Sequence, residues 1–261
     1  MARCRSVGPY LFVYDRTRIG IAWVFVLPAR SLRQVSGITN RIPFAAKSVV
    51  KIARARSFEF LGRDRYAYPA LNRLDWQMLA RLPRQGTFLE VGANDGYSQS
   101  NTYCLERNRG WRGILIEPLP GLYFICRMHR RRSTCFNVAC VGPGAEPTLR
   151  LVEHGLRSVS RGLVSESEEA RRVGKRRTVE VLTATMSDLI DRSSLGRITF
   201  MSIDVEGAEL HVLSGLDLSR HCPDFLLVET SRIDDVDALL SKCMTRTDRL
   251  SHHDYLFERS Q

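Results

Sequence analysis

The residues best placed to do chemistry are carboxylates that close short apolar runs. Gly113-Ile-Leu-Ile runs into Glu117, residues 198–203 run into Asp204 with Glu206 and Glu209 close behind, and residues 224–228 run into Glu229. A carboxylate at such a place can take a proton from a weak nucleophile or accept hydrogen bonds from ribose hydroxyls. Three acids near one strand end also have the oxygen chemistry of a Mg²⁺ site. The spacing does not separate base from ligand, and no metal is assigned.

A further acid, Glu90, opens a loop, Glu90-Val-Gly92-Ala93-Asn94-Asp-Gly96, that follows the apolar segment Thr87-Phe-Leu. Glycine tolerates positive φ and has no Cβ, so a backbone carrying it can approach a ligand closely. Glu117 lies 21 residues beyond Gly96, a separation at which an acid meets a ribose in nucleotide-binding α/β sheets. A dinucleotide loop needs G-x-G-x-x-G, with its middle glycine against the pyrophosphate. Here Asn94 stands at that middle position and an acid precedes the loop. An acid repels pyrophosphate and attracts ammonium. S-adenosylmethionine carries an ammonium, a sulfonium and no phosphate, so the charge pattern predicts that cofactor and disfavours nicotinamide chemistry.

The elements that must hold these groups alternate along the chain. Helices are predicted over residues 71–82, 98–108, 120–130, 185–191 and 235–242, with a further one following the Asp204–Glu209 segment and running to Leu216, and strands over 87–92, 113–117, 134–141, 148–152, 178–182, 198–203, 224–228 and 255–257. Strands alternating with helices predict an α/β fold, a doubly wound, mostly parallel sheet with helices on both faces. Its ligands would sit at the carboxyl ends of the strands. Residues 153–177, rich in Gly, Ser, Glu and Arg, read as a surface loop able to cover the site.

Of 261 residues, 44% are hydrophobic and 26% charged, ordinary for a globular protein. The net charge of +11 is uneven: residues 1–70 hold 13 Lys and Arg against 3 acids, and the rest is nearly balanced at 26 against 25. Residues 1–69 are therefore expected to form a basic arm and 70–261 the main domain. The arm contains one apolar run, residues 19–28, too short to span a bilayer. It also contains a basic amphipathic helix over 45–55, suited to packing or to peripheral membrane contact. Seven scattered cysteines without a C-x-x-C pair fit a reducing, cytoplasmic setting.

Four segments together resemble the FkbM family of S-adenosylmethionine-dependent methyltransferases, over about residue 70 to the C-terminus. They are Phe88-Leu-Glu-Val-Gly-Ala-Asn-Asp-Gly96, Ser100-Asn-Thr-Tyr103, Gly110-Trp-Arg-Gly-Ile-Leu-Ile-Glu-Pro118 and Ser202-Ile-Asp-Val-Glu-Gly-Ala-Glu209. The resemblance implies a Rossmann-like class I methyltransferase fold. It places Glu90, Gly92, Ala93, Asn94 and Gly96 around the methionine part of the cofactor, Glu117 on the ribose, and Ala139 and Cys140 against the adenine. Asp204 and Glu206 would stand where methyl group and acceptor meet, with Asp204 as base. Family members typically act on hydroxyls, often of sugars in glycolipids, polysaccharides or secondary metabolites, so the resemblance implies such an acceptor here.

The remaining polar residues carry less. His154 and His211 could reach the site, whereas His252, His253, Arg130-Arg-Arg132 and Lys175-Arg-Arg177 read as solvated surface. A nucleic-acid methyltransferase is the rival suggested by the basic pI, but acids at Asp204 and Glu206 would repel phosphates, so no nucleic-acid partner is expected. A non-catalytic, membrane-associated binding protein is the other alternative.

Overall fold

The computed structural model describes residues 4–7, 10–13, 44–154, 157–160 and 177–260. The apolar run over 19–28 and most of the segment read as a covering loop lie outside the described residues. The chain divides into two units, Met1–Tyr66 and Ala67–Gln261. The first contains an antiparallel hairpin of β1 (Cys4–Val7) and β2 (Tyr10–Val13), and α1 (Phe44–Phe60), which spans the predicted basic helix. Among the described residues no helix is long and apolar enough to cross a membrane.

The second unit begins with a 3-10 turn at Leu71–Arg73 and the short helix α2 (Leu74–Leu79). Then follow β3 (Thr87–Val91), α3 (Tyr103–Asn108), β4 (Arg112–Ile116), α4 (Pro120–His129) and β5 (Thr134–Phe136). Next come β6 (Ala139–Cys140), β7 (Thr148–His154), β8 (Arg157–Ser160), β9 (Arg177–Ala184) and α5 (Met186–Arg192). The chain finishes with β10 (Phe200–Ile203), α6 (Glu209–Leu213), α7 (Leu218–His221), β11 (Phe225–Glu229), α8 (Ile233–Leu240), β12 (Met244–Arg249) and β13 (Asp254–Arg259).

Seven strands form the main sheet in the order β12-β13-β11-β10-β3-β4-β5. Neighbours from β11 to β5 are parallel, and β13 and β12 close one edge as an antiparallel hairpin. Successive side chains on a strand point to opposite faces, and both faces are covered. Leu89, Val91, Ile114, Ile116, Met201 and Ile203 pack with Met186 and Ile190 of α5 and Val236 and Leu240 of α8. The alternate residues Phe88, Leu115, Phe200 and Leu227 pack on the other face with Met78 of α2, Leu105 of α3 and Cys126 of α4. This is the doubly wound α/β class, Rossmann-like and mostly parallel.

Several elements differ from the sequence expectation. The helix predicted from residue 98 starts at Tyr103, because Asp95 draws the preceding chain into a turn. Its Oδ1 accepts from the N–H groups of Tyr97 at 2.9 Å and Ser98 at 2.6 Å. The predicted third strand breaks after Phe136, where the Asn137 amide donates to the carbonyls of Glu117 and Pro118 at 2.9 and 2.8 Å. Beyond the break, β6 joins a second sheet, β6-β9-β7-β8. Residues 157–160 of the predicted loop therefore form a strand, paired with the end of β7. The polar edge strand β12 has no apolar alternation and escapes a pattern-based reading.

The chain runs outward from β3 through β4 to β5, then returns to β10 on the other side of β3. That reversal between β3 and β10 is the topological switch point, where open α/β sheets bind ligands.

Candidate active site

At the switch point the two central strands deliver their terminal residues side by side. β3 and β10 are in register, with Glu90 opposite Ser202. Just beyond, the Asp204 N–H donates to the Val91 carbonyl at 3.2 Å. A Cβ on Gly92 would lie 2.0 Å from the Asp204 carbonyl oxygen, so only glycine, here at φ 85°, lets these loops touch.

Two clefts open here. The larger, of about 210 Å³, is walled by Glu90, Gly92, Asn94, Glu117, Ala139, Cys140, Asp204 and Glu206, eight of the ten residues singled out from the sequence. The other two, Ala93 and Gly96, do not line it. Ala93 is buried in the core with Phe88 and Cys104. Gly96, at φ 76°, faces away: a Cβ there would come within 2.8 Å of Cys126 Sγ and 2.9 Å of Arg130 Cγ.

The polar end of this cleft is Glu117, whose Oε2 and Oε1 accept from the N–H groups of Asn94 and Leu119 at 2.8 and 2.9 Å. Burial pushes its carboxyl up to about 7 against those two stabilising bonds, with the charge of Asp95 adding to the rise. Each oxygen keeps a lone pair that a diol could use. Across from it the second sheet supplies an apolar wall, Leu149 and Leu151 of β7 with Ala139 and Cys140 of β6. Burial holds the Cys140 thiol protonated, pushed up to about 12. A carboxyl with lone pairs to spare beside an apolar slot fits an adenosine.

Glu90 lines the cleft and is also held from within the protein. Its Oε2 accepts from Ser100 Oγ at 2.9 Å and Thr102 Oγ1 at 2.6 Å, and its Oε1 from the Asn101 N–H at 2.8 Å. Arg130 Nη1 stands 3.9 Å from Oε2. Arg130, read as solvated, is in fact wholly buried at 0% exposure. It follows the last turn of α4 and turns inward, donating to Glu106 Oε2 at 2.9 Å, the Gly96 carbonyl at 2.8 Å and Thr102 Oγ1 at 2.9 Å. It ties together the loop that walls the cleft.

The smaller cleft, of about 120 Å³, shares Gln99, Asn101 and Asp204 with the larger one. Asn72, Glu229, Ser251, His252, His253 and Asp254 complete its polar lining. Four residues of the two clefts, Asn72, Asn94, Gln99 and Glu206, hold positive φ without being glycine. Such backbone costs free energy and collects where a site over-determines it. The histidine pair, read as surface, sits on the turn between β12 and β13, held by the Thr230 N–H donating to the His253 carbonyl at 2.8 Å.

Asp204 stands where the clefts meet. Burial, then the negative charges of Glu229 and Glu206 and a hydrogen bond with the Glu229 carboxyl, raise it to about 8. Glu206 lies exposed on the next turn. Glu209 instead closes its own turn, its Oε1 accepting from the Gly207 N–H at 2.6 Å, and His211 accepts from the Gly142 N–H at 3.2 Å. Neither lines a cleft. Of His154 only the backbone is described. Among the described residues no group of three or more His, Cys, Asp or Glu side chains is arranged to hold a metal ion.

No curated protein matches the chain. Among solved structures it is similar to a TehB-like methyltransferase from Corynebacterium glutamicum at 11% identity and TM-score 0.41, over 82% of this chain and 99% of that one. It is also similar to an O-methyltransferase from Bacillus cereus at 11% identity and TM-score 0.41, over 88% and 96%. Fibrillarin from Aeropyrum pernix shows 12% identity and TM-score 0.42, over 75% and 76%. The family model for the methyltransferase FkbM domain matches residues 90–255, well over half of the chain and every residue that walls the larger cleft. The chain belongs to the FkbM family and is an S-adenosylmethionine-dependent methyltransferase.

Proposed function

We propose that the protein methylates a hydroxyl of a polyhydroxylated acceptor, a sugar of a glycolipid, polysaccharide or secondary metabolite. One observation carries this reading: the cofactor cleft and a smaller polar cleft meet at Asp204, whose carboxyl shares a hydrogen bond with Glu229. The larger cleft would hold the cofactor, with Glu117 on its ribose and the Ala139–Leu151 wall on its adenine. When bound it supplies a methyl group on a sulfonium, open to displacement by oxygen.

A sugar hydroxyl is a weak nucleophile, and a positioned carboxylate typically speeds its reaction about 10²–10⁴-fold as general base. Asp204 takes that proton on a carboxylate oxygen. Glu229 keeps the Asp204 proton affinity high, which makes it a strong base once ionised. Asn72, Gln99 and the histidine pair offer hydrogen bonds to the neighbouring hydroxyls and fix which one faces Asp204. No Lys or Arg lines either cleft among the described residues, while Asp204, Glu229 and Asp254 line the smaller one. That lining repels phosphate and speaks against a nucleic-acid acceptor. The scattered cysteines support a cytoplasmic setting, and the basic residues of α1 suit contact with an anionic membrane face.

The test is to incubate the protein and Asp204→Asn with methyl-labelled cofactor and a fractionated cell extract, and to follow S-adenosylhomocysteine binding by calorimetry in parallel. Label should enter a glycolipid or polysaccharide fraction and disappear with Asp204→Asn, while binding persists. Label in RNA, or undiminished turnover in the variant, would sink the reading.

A further inference from the structure

Two thiols take no part in methyl transfer yet pack against the loop that walls the cofactor cleft. Cys126 on α4 and Cys135 on β5 are nine residues apart, and their Sγ atoms stand 3.8 Å from each other, a hydrogen-bonding distance for sulfur. Cys126 is fully buried and Cys135 half-buried. The hydrogen bond from Cys126, and then the charge of Arg130, hold the Cys135 thiol below its ordinary value against the effect of burial. The same bond and burial push Cys126 up. Cys126 is therefore the donor that keeps its proton, and Cys135 is the sulfur that ionises first. Other thiols are placed differently. Burial pushes Cys104 and Cys140 up to about 12, and Cys222 gives its thiol to the carbonyls of Pro223 and Cys243. An accessible sulfur of lowered proton affinity beside a second thiol is the arrangement in which oxidation ends in a disulfide.

The pair is also tied to the site. Gly96 has no room for a Cβ, which would lie 2.8 Å from Cys126 Sγ. One turn further along, the Arg130 N–H donates to the Cys126 carbonyl at 3.0 Å, and its guanidinium donates to the Gly96 carbonyl at 2.8 Å. Cys135 is fixed from the other side by its pairing with Leu115 of β4.

We propose that Cys126 and Cys135 form an oxidation site, a thiol pair that peroxide closes to a disulfide and that weakens cofactor binding when closed. The Cys135 thiolate attacks one oxygen of hydrogen peroxide. The O–O bond breaks, and hydroxide leaves to take up the proton that Cys135 had released, so that Cys135 becomes a sulfenic acid. Cys126 Sγ then attacks the Cys135 sulfur, the S–O bond breaks, and the hydroxyl departs with the Cys126 proton as water. Two thiols are oxidised and one peroxide is reduced to two waters. The sulfurs must close to about 2.05 Å. Since the sheet holds β5, the movement falls on the end of α4, and through Arg130 and Gly96 on the 92–102 loop.

The test uses the full chain, first reduced and then treated with hydrogen peroxide. Trypsin cuts at Arg127 and Arg130-Arg-Arg132, between the two cysteines, so mass spectrometry should find two joined peptides that a thiol reductant separates. Calorimetry should show S-adenosylhomocysteine binding at least about fivefold more weakly to the oxidised protein, the lower end of typical coupling between sites, with recovery in dithiothreitol. Cys135→Ser should bind like the reduced parent and keep its affinity in peroxide, which sets the pair apart from oxidised methionines. Cys126→Ser should stop at the sulfenic acid, which dimedone labels at Cys135. Peroxide that modifies other cysteines and leaves this pair reduced would overturn the proposal. So would a Cys126–Cys135 disulfide that leaves the affinity unchanged, or an equal loss of affinity in peroxide-treated Cys135→Ser.

Discussion

Asp204 holds its proton to about 8 because burial and the neighbouring carboxylates disfavour its charged form. A base of that kind is potent once ionised and mostly protonated at neutral pH, so its pair with Glu229 should be visible in the pH dependence of turnover. In the free enzyme kcat/KM should climb through an apparent pKa near 8, a value that belongs to the coupled pair. Glu206, Glu229 and Asp254 all push this limb upward. Glu229→Gln removes the largest of those charges and puts an amide beside Asp204 that can also donate to its ionised form. It should move the limb to lower pH by roughly one unit or more, which corresponds to about 1.4 kcal/mol for each unit. The measurement is methyl transfer across pH 5.5–9.5 for both proteins, at subsaturating acceptor. An unmoved limb would mean that another group takes the proton.

At the scale of elements, the site depends on how α4 ends. Its C-terminal residue side delivers Arg130 into the protein under the 92–102 loop, where the guanidinium bridges Glu106, the Gly96 carbonyl and Thr102. Removing one partner from such a buried ionic network leaves unpaired charge and costs about 3–5 kcal/mol. Arg130→Met should therefore lower the unfolding free energy by that amount, read as a lower denaturant midpoint, and weaken S-adenosylhomocysteine. Arg130→Lys should recover only part of the stability, since an ammonium lacks the planar fork. Urea titration with and without ligand decides it, and a stability loss under about 1 kcal/mol would be incompatible with a buried network. Nothing in Arg130-Arg-Arg132 announces this role, because three adjacent arginines look alike until the helix end chooses which one turns inward. Glu117 and Asp204 were legible for the opposite reason: each closes an apolar strand, and a sheet of this class puts strand ends at the ligand. The histidine pair was not legible, since β12 has no apolar alternation and the hairpin that presents His252 and His253 cannot be recognised without it.

Over the whole molecule, the same carboxyls make stability depend on pH in an unusual direction. Burial raises Asp75 to about 6, Glu117 to about 7 and Asp204 to about 8, and it raises Glu209 as well. In the unfolded chain these acids ionise near 4. Between those values the folded state binds protons that the unfolded state has released. Stability must then fall as pH rises through the window, from full contribution below about 4 to none above about 8. The surface acids Asp191 and Asp217 are lowered by hydrogen bonds and neighbouring positive charge, so their contribution has the opposite sign and is lost only as pH falls below about 4. The melting temperature should accordingly be higher at pH 6 than at pH 8.5, and Asp204→Asn should flatten the upper part of that slope by removing its most alkaline member. Thermal denaturation across this range reads both effects. A stability that stays level from pH 6 to 8.5 would mean that water or counter-ions relieve these carboxyls in the folded state, and with it the expected alkaline limb of turnover would be lost. With Asp204 as the proposed base, one group sets stability and activity against each other: the pH that would free it to act is the pH at which its burial becomes a cost to the fold.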